Sequence, residues 1–219
     1  TSNLIAENKM DEFKVLIQKS YDFILALAMP LTVGLIFTSP SVILLLSGES
    51  FAPAILTSQI VALNILMVGI SGVMGLQVLY PMGRINIVIL CTFIGAVVNV
   101  VLNVLLIPVY GHNGTAVAYM LAEVAVTVSM FIIGRRHIPI QFFKKEHLHY
   151  VLGSVCMGIC LYWVLLLELD DFMTLITMLI VGLMMYISVI LILKDTMGML
   201  FWKIIKSYLD KCQYKKKLG

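Results

Sequence analysis

Charged residues are scarce in this 219-residue chain, where they make up 12% of the sequence. An ordinary soluble domain carries about 25% charged residues. Hydrophobic residues account for 61%, and the mean hydropathy is +1.02. The composition therefore excludes a typical soluble protein and indicates a chain that lies largely within a membrane.

The chain also lacks the short motifs that carry most enzymatic chemistry. It contains no Walker A sequence, no glycine-rich phosphate loop, no His-Glu-x-x-His and no nucleophile elbow. The histidines have no cysteine or carboxylate spacing typical of a metal site; they are His112, His137, His147 and His149. We therefore expect no enzymatic activity, no cofactor, no metal site and no nucleic-acid partner.

Six apolar blocks dominate the sequence. Each approaches the roughly 17–25 residues that cross a bilayer as a helix, whereas barrel strands would be about 10 residues long and alternating. The fold class predicted is all-α, a polytopic membrane helix bundle over residues 23–193. Its six predicted crossings are residues 23–46, 54–80, 87–107, 114–133, 150–167 and 172–193.

The basic residues lie on one side of this predicted bundle. All 15 Lys and Arg residues fall in segments 1–22, 81–86, 134–149 and 194–219, and none falls in the three loops between them. The positive-inside rule then predicts that both termini are cytoplasmic. We expect residues 1–22 to be a cytoplasmic interfacial segment and residues 194–219 a basic amphipathic cytoplasmic tail.

Polar residues within the apolar blocks are the candidate functional residues. Asn99 and Asn103 are four residues apart, so they project from one helix face, either lining a cavity or making an interhelical hydrogen bond. Glu123 is the only ionisable residue within a block and lies on a stripe with Tyr119. It is a candidate ion-coupling residue, or alternatively a protonated carboxyl bonded to Tyr119 or an asparagine.

The segment that carries these residues resembles a known family. "GAVVNVVLNVLLIPVYGHNGTAVAYMLAE" (Gly95–Glu123) is similar to a motif of bacterial polysaccharide flippases in the multidrug/oligosaccharidyl-lipid/polysaccharide (MOP) exporter superfamily. "MPLTVGLIFTSPSVILLLSGESFAPA" (Met29–Ala54) and "GLQVLYPMGRINIVI" (Gly75–Ile89) resemble two further family segments in the same order. In this pattern Pro108 ends the third helix, and Gly111 leads the chain into the fourth.

The resemblance implies the carboxy-terminal lobe of a MOP/MATE-like transporter whose amino-terminal lobe is absent from this chain. It implies flipping of an undecaprenyl-pyrophosphate-linked oligosaccharide, such as an O-antigen unit, across the bacterial cytoplasmic (inner) membrane by alternating access. The cavity-lining candidates are Asn64, Asn99, Asn103 and Tyr119, with Glu123 for ion coupling. Arg84 is a candidate for the pyrophosphate or a topological anchor. Lipid-linked oligosaccharide and membrane lipids are the expected partners, with polysaccharide polymerase or glycosyltransferases as further candidates.

Three alternatives remain open. One is a multidrug or peptidoglycan-precursor exporter of the same superfamily. Another is a non-transporting membrane scaffold that holds polysaccharide-assembly enzymes through its basic cytoplasmic face. The third is an integral-membrane transferase, since Glu168, Asp170 and Asp171 form an outer acidic cluster that is otherwise a loop cap.

Overall fold

The structure is a computed structural model that describes residues 4–5, 7 and 9–193. Within them, five helices are long and apolar enough to cross a membrane. Helix α1 spans Met10–Ser47. A short 3₁₀ helix, Glu49–Phe51, leads to span 2 (Ala54–Leu79), which joins α2 (Ala54–Ala62), α3 (Asn64–Gly72) and a π-helical stretch (Val73–Leu79). Helices α4 (Ile85–Gly134), α5 (Lys145–Leu165) and α6 (Asp171–Ile192) follow.

Helix α4 is a hairpin of two helices rather than one straight rod. Gly111 interrupts it with φ 55° and ψ −132°, a conformation that glycine adopts readily and other residues rarely adopt. A methyl group at Gly95 would lie 3.3 Å from the Ala122 carbonyl oxygen, although a straight helix would separate these residues by about 40 Å. Residues 85–110 and 112–134 therefore pack against each other as two helices, which cover the predicted third and fourth crossings.

Two sequence-based boundaries are corrected by the structure. The third helix does not end at Pro108, because helical geometry continues through it and breaks at Gly111. The reason is that an isolated proline bends a helix by removing one hydrogen bond, whereas positive φ requires a residue such as glycine. Residues 10–22 do not form a separate helix, because they are continuous with the helix of the first predicted crossing; their interfacial position stays a prediction. The predicted tail, residues 194–219, lies outside the described residues.

Helix α1 is the central element of the bundle. It packs against span 2 on one side and against α5 and α6 on another, whereas α4 makes its main contacts with span 2. The larger core cluster gathers Phe13, Ile17 and Tyr21 of α1 around Val78 and Leu79 of the π-helical stretch. This arrangement leaves α4 and the α5–α6 pair on different sides of α1 and span 2.

Two prolines interrupt the hydrogen bonding of α1. Proline has no N–H, so Pro30 leaves the Ala26 carbonyl, and Pro40 the Ile36 carbonyl, without the usual helical donor. Side chains of neighbouring elements supply both missing donors. The Tyr186 hydroxyl donates to the Ala26 carbonyl oxygen at 2.6 Å, and the Gln59 amide donates to the Ile36 carbonyl oxygen at 3.0 Å.

Candidate functional site

An apolar groove runs between α1, α5 and α6. Its volume is about 460 Å³, within the roughly 300–1,000 Å³ typical of small-molecule sites. The groove opens toward the outer surface of the bundle, where Leu31 and Leu179 are 53% and 60% exposed. Residues that line it include Ala26, Pro30, Leu31, Met157, Leu179 and Tyr186. An apolar occupant would be shielded by three helices and exposed on the remaining side.

Glycines bring the helices of the groove close together. A methyl group at Gly34 of α1 or at Gly182 of α6 would lie 3.2 Å from the Met157 terminal methyl of α5. The thioether of Met157 therefore lies between two backbones that have no side chain at these points. The sequence does not indicate this groove, because its lining has the same composition as a lipid-facing surface.

The two asparagines of α4 lie on one face, as their spacing predicts. The Asn103 side-chain amide donates to the backbone oxygen of Asn99 at 2.9 Å and to its side-chain oxygen at 3.0 Å. The Asn103 side-chain oxygen is buried and accepts no hydrogen bond within the described part of the chain. The two side chains thus satisfy only part of their hydrogen-bonding capacity, and the Asn103 side-chain oxygen can accept a hydrogen bond from another group.

Glu123 lies on the second half of α4, where this half packs against span 2. The Thr127 hydroxyl, one turn further on, donates to the Glu123 backbone oxygen at 2.9 Å and to the Met67 backbone oxygen of span 2 at 3.3 Å. Glu123 is intermediate in exposure. Within residues 9–193 its carboxylate forms no salt bridge.

Asn64 of span 2 is 3% exposed, and neither polar atom of its side chain has a hydrogen-bond partner among the described residues. Two contacts fix its depth relative to α4: Thr57 donates to Asn113 at 2.6 Å, and Thr127 to Met67. Asn64 precedes Met67 by three residues, and Glu123 precedes Thr127 by four. At about 1.5 Å per helical residue, Asn64 and Glu123 lie at nearly the same depth.

The other two candidates lie apart from this level. Tyr119 is 39% exposed, one turn from Glu123, and makes no hydrogen bond to it in the described structure. Arg84 is exposed at the start of α4, about 22 Å along the helix from Asn99. The structure therefore brings Asn64 and Glu123 to one depth, joins Asn99 to Asn103, and leaves Arg84 outside this set.

A polar cluster at the predicted cytoplasmic end was not found from the sequence. Asp22 of α1 accepts hydrogen bonds from Gln18 at 2.8 Å and from Nε2 of His147 at 3.0 Å, and it pairs with Lys144 at 3.2 Å. His147 is 7% exposed, and its ring packs edge to face on Tyr21. These contacts join α1 to the start of α5 across more than 120 residues, so no local pattern could have revealed them.

Comparison with known proteins identifies the family. The family model described as "Lipid II flippase MurJ" matches residues 1–183. The chain belongs to this MurJ family. A search of curated proteins found no match. Among solved structures, "Lipid II flippase MurJ, inward closed conformation" matches with a TM-score of 0.75 and 17% identity.

That alignment covers 90% of this chain and 42% of the MurJ structure, so the chain spans less than half of that protein's length. At this identity the likeness shows a shared fold. MurJ family membership supports the predicted resemblance to the MOP superfamily, and the structural match confirms the helical transporter fold. It does not support the O-antigen specificity and instead favours the peptidoglycan-precursor alternative.

Proposed function

We propose that the protein containing this chain flips a lipid-linked glycan precursor across the bacterial cytoplasmic membrane, with lipid II as the favoured substrate. The observation that carries this proposal is the apolar groove between α1, α5 and α6, together with membership of the MurJ family. A lipid-linked precursor has a long apolar tail and a polar headgroup. The groove accepts the tail, because its lining is apolar and its open side faces the bilayer.

The polar headgroup needs a separate surface. Asn99, Asn103, Asn64 and Glu123 supply amides and a carboxyl at membrane depth, where polar residues are costly unless they face protein or a water-filled cavity. We propose that they line the headgroup path and that Glu123 couples transport to an ion. Tyr119 and Arg84 lie farther from the middle of this path, with Arg84 close to the predicted cytoplasmic surface.

The charges of the chain support one orientation in the membrane. Arg84 and the other 14 basic residues lie on the predicted cytoplasmic side, and Glu49 lies in the short 3₁₀ helix on the opposite side. We propose that both termini of this chain are cytoplasmic. In this orientation the cluster around Asp22 closes the cytoplasmic end of the bundle.

The test of the groove is a matched pair of substitutions in the full-length protein. Leu179 lines the groove and is 60% exposed, whereas its neighbour Ile180 is 54% exposed and does not line it. Leu179→Trp places a large ring in the groove and is expected to abolish rescue of a strain depleted of its own lipid II flippase. Ile180→Trp is expected to rescue. Equal rescue by both variants, at equal protein levels, would refute tail binding in the groove.

A second candidate is the flipping of an O-antigen or other lipid-linked oligosaccharide, favoured by the asparagine and glycine pattern of Gly95–Glu123. Two strains separate the candidates, one depleted of its lipid II flippase and one lacking its O-antigen flippase. Rescue of cell-wall synthesis alone supports the lipid II proposal, and rescue of surface polysaccharide alone supports the second candidate. The scaffold function is tested by deleting residues 196–219. If this deletion leaves flipping unchanged but abolishes co-purification of polysaccharide-assembly enzymes, the scaffold function is favoured instead.

A further inference from the structure

Pro30 creates an acceptor on α1 within the groove. Because proline cannot donate to the carbonyl four residues earlier, the Ala26 oxygen is free to accept a hydrogen bond from outside the helix. The Tyr186 hydroxyl of α6 donates that bond at 2.6 Å, across 160 residues of sequence. Ala26, Pro30 and Tyr186 all line the groove. The bond therefore ties one wall of the groove to the opposite wall.

The ring of Tyr186 reaches α1 because α5 makes room for it. A methyl group at Gly153 of α5 would lie 3.0 Å from a ring carbon of Tyr186, closer than ordinary contact. One edge of the ring thus lies close to a backbone position without a side chain, and the hydroxyl reaches α1. The contact depends on three residues. Pro30 leaves the acceptor free, Tyr186 supplies the donor, and Gly153 leaves room for the ring.

We infer that Tyr186 is a positioning residue that holds α6 to α1 and so sets the width of the groove for the lipid tail. The inference rests on the proposed function for its ligand, but the tie between the helices stands on the hydrogen bond alone. Loss of the bond lets α6 move away from α1 near Pro30. The groove then widens and contacts an apolar tail less closely.

Pro40 offers a matched comparison within the same helix. Its acceptor, the Ile36 carbonyl, receives a hydrogen bond from Gln59 of span 2, and neither Ile36 nor Gln59 lines the groove. Gln59→Leu removes the donor at Pro40 in the way that Tyr186→Phe removes the donor at Pro30. Only the second change is expected to alter the groove.

The experiment measures the distance between α1 and α6 in the full-length protein, with spin labels at Val15 and Ile192, which are 54% and 76% exposed. Tyr186→Phe is expected to lengthen and broaden the distance distribution. Gly153→Ala, which displaces the ring, is expected to do the same. Pro30→Ala restores a helical N–H for the Ala26 carbonyl, so adding Tyr186→Phe in that background is expected to change nothing further.

The ligand measurement uses undecaprenyl phosphate titrated into the detergent-solubilised protein. Tyr186→Phe is expected to bind it more weakly by up to about 10-fold, because the lost hydrogen bond lies within the protein and its full energy limits the change. Gln59→Leu is expected to bind like the wild type. The inference is overturned if Tyr186→Phe changes the α1–α6 distance equally in the wild-type and Pro30→Ala backgrounds. It is also overturned if the distance changes in neither background. If the wild-type protein does not bind undecaprenyl phosphate, the proposed tail site is refuted instead. The spin-label distances still decide the role of Tyr186.

Discussion

Replacement of Asn64 by leucine is expected to stabilise the protein and to impair transport. The Asn64 side chain is 3% exposed, and its amide nitrogen and oxygen find no hydrogen-bond partner among the described residues. A buried polar group without a partner costs about 1–3 kcal/mol. Leucine has a similar branched shape and no polar atoms, so Asn64→Leu is expected to raise the free energy of unfolding by about 1–3 kcal/mol.

Gln59→Leu provides the control of opposite sign. Gln59 is also an amide on span 2, but it donates a hydrogen bond to the Ile36 carbonyl. Removing it leaves that carbonyl without a donor. Hydrogen bonds between membrane helices contribute about 0.6 kcal/mol on average and about 1.7 kcal/mol at most. Gln59→Leu is therefore expected to lower stability by an amount in that range.

The assay is reversible unfolding of the full-length protein in mixed micelles, with transport measured on the same variants by rescue of a flippase-depleted strain. We expect Asn64→Leu to be more stable than wild type and poorer in rescue, because an amide kept at a cost in stability is typical of a functional position. If Asn64→Leu were less stable than wild type, the amide would have a partner, and the reasoning would be refuted. A stable variant with full rescue would exclude Asn64 from the headgroup path.

Three further predictions follow from the same structure. Glu123→Gln keeps the shape of the side chain and is expected to abolish ion-dependent transport while leaving stability unchanged; transport that still follows the ion gradient in proteoliposomes would exclude Glu123 from coupling. In a cysteine-free background, Glu49→Cys is expected to react with an impermeant thiol reagent in whole cells and Arg84→Cys only after permeabilisation, and the reverse result would invert the orientation. Asp22→Asn removes a charge that accepts three hydrogen bonds, from Gln18, Lys144 and His147, and is expected to lower stability by about 1.5–3 kcal/mol in thermal unfolding; an unchanged midpoint would show that the cluster contributes little.

The sequence carried enough information to predict the helices and the face shared by the two asparagines. Hydrophobic run length and basic-residue placement are dictated by the membrane itself, and a four-residue spacing on a helix places Asn99 and Asn103 on one side. The hydrogen bond between them confirms that geometry. Boundaries were less accurate at Pro108, because a proline inside a helix and a proline that ends one look alike in sequence.

The groove and the cytoplasmic cluster could not be predicted in the same way. The groove depends on how Leu31 and Leu179 meet across three helices, and both residues look like lipid-facing leucines. The cluster depends on Asp22 approaching His147 over 125 residues. Asn64 was predicted as a cavity residue, and its burial without a hydrogen-bond partner among the described residues is a feature that only the packed structure can reveal.

The bond between Tyr186 and Ala26 also bears on how the protein is made. Helix α4 folds on itself around Gly111, so its two halves can meet soon after they leave the ribosome. The native donor to the Ala26 carbonyl, the Tyr186 hydroxyl, is synthesised 160 residues later. At about 5–20 residues per second, this interval is about 8–32 s. Throughout it the Ala26 carbonyl lacks its native donor, so α1 reaches its final form only after insertion of α6.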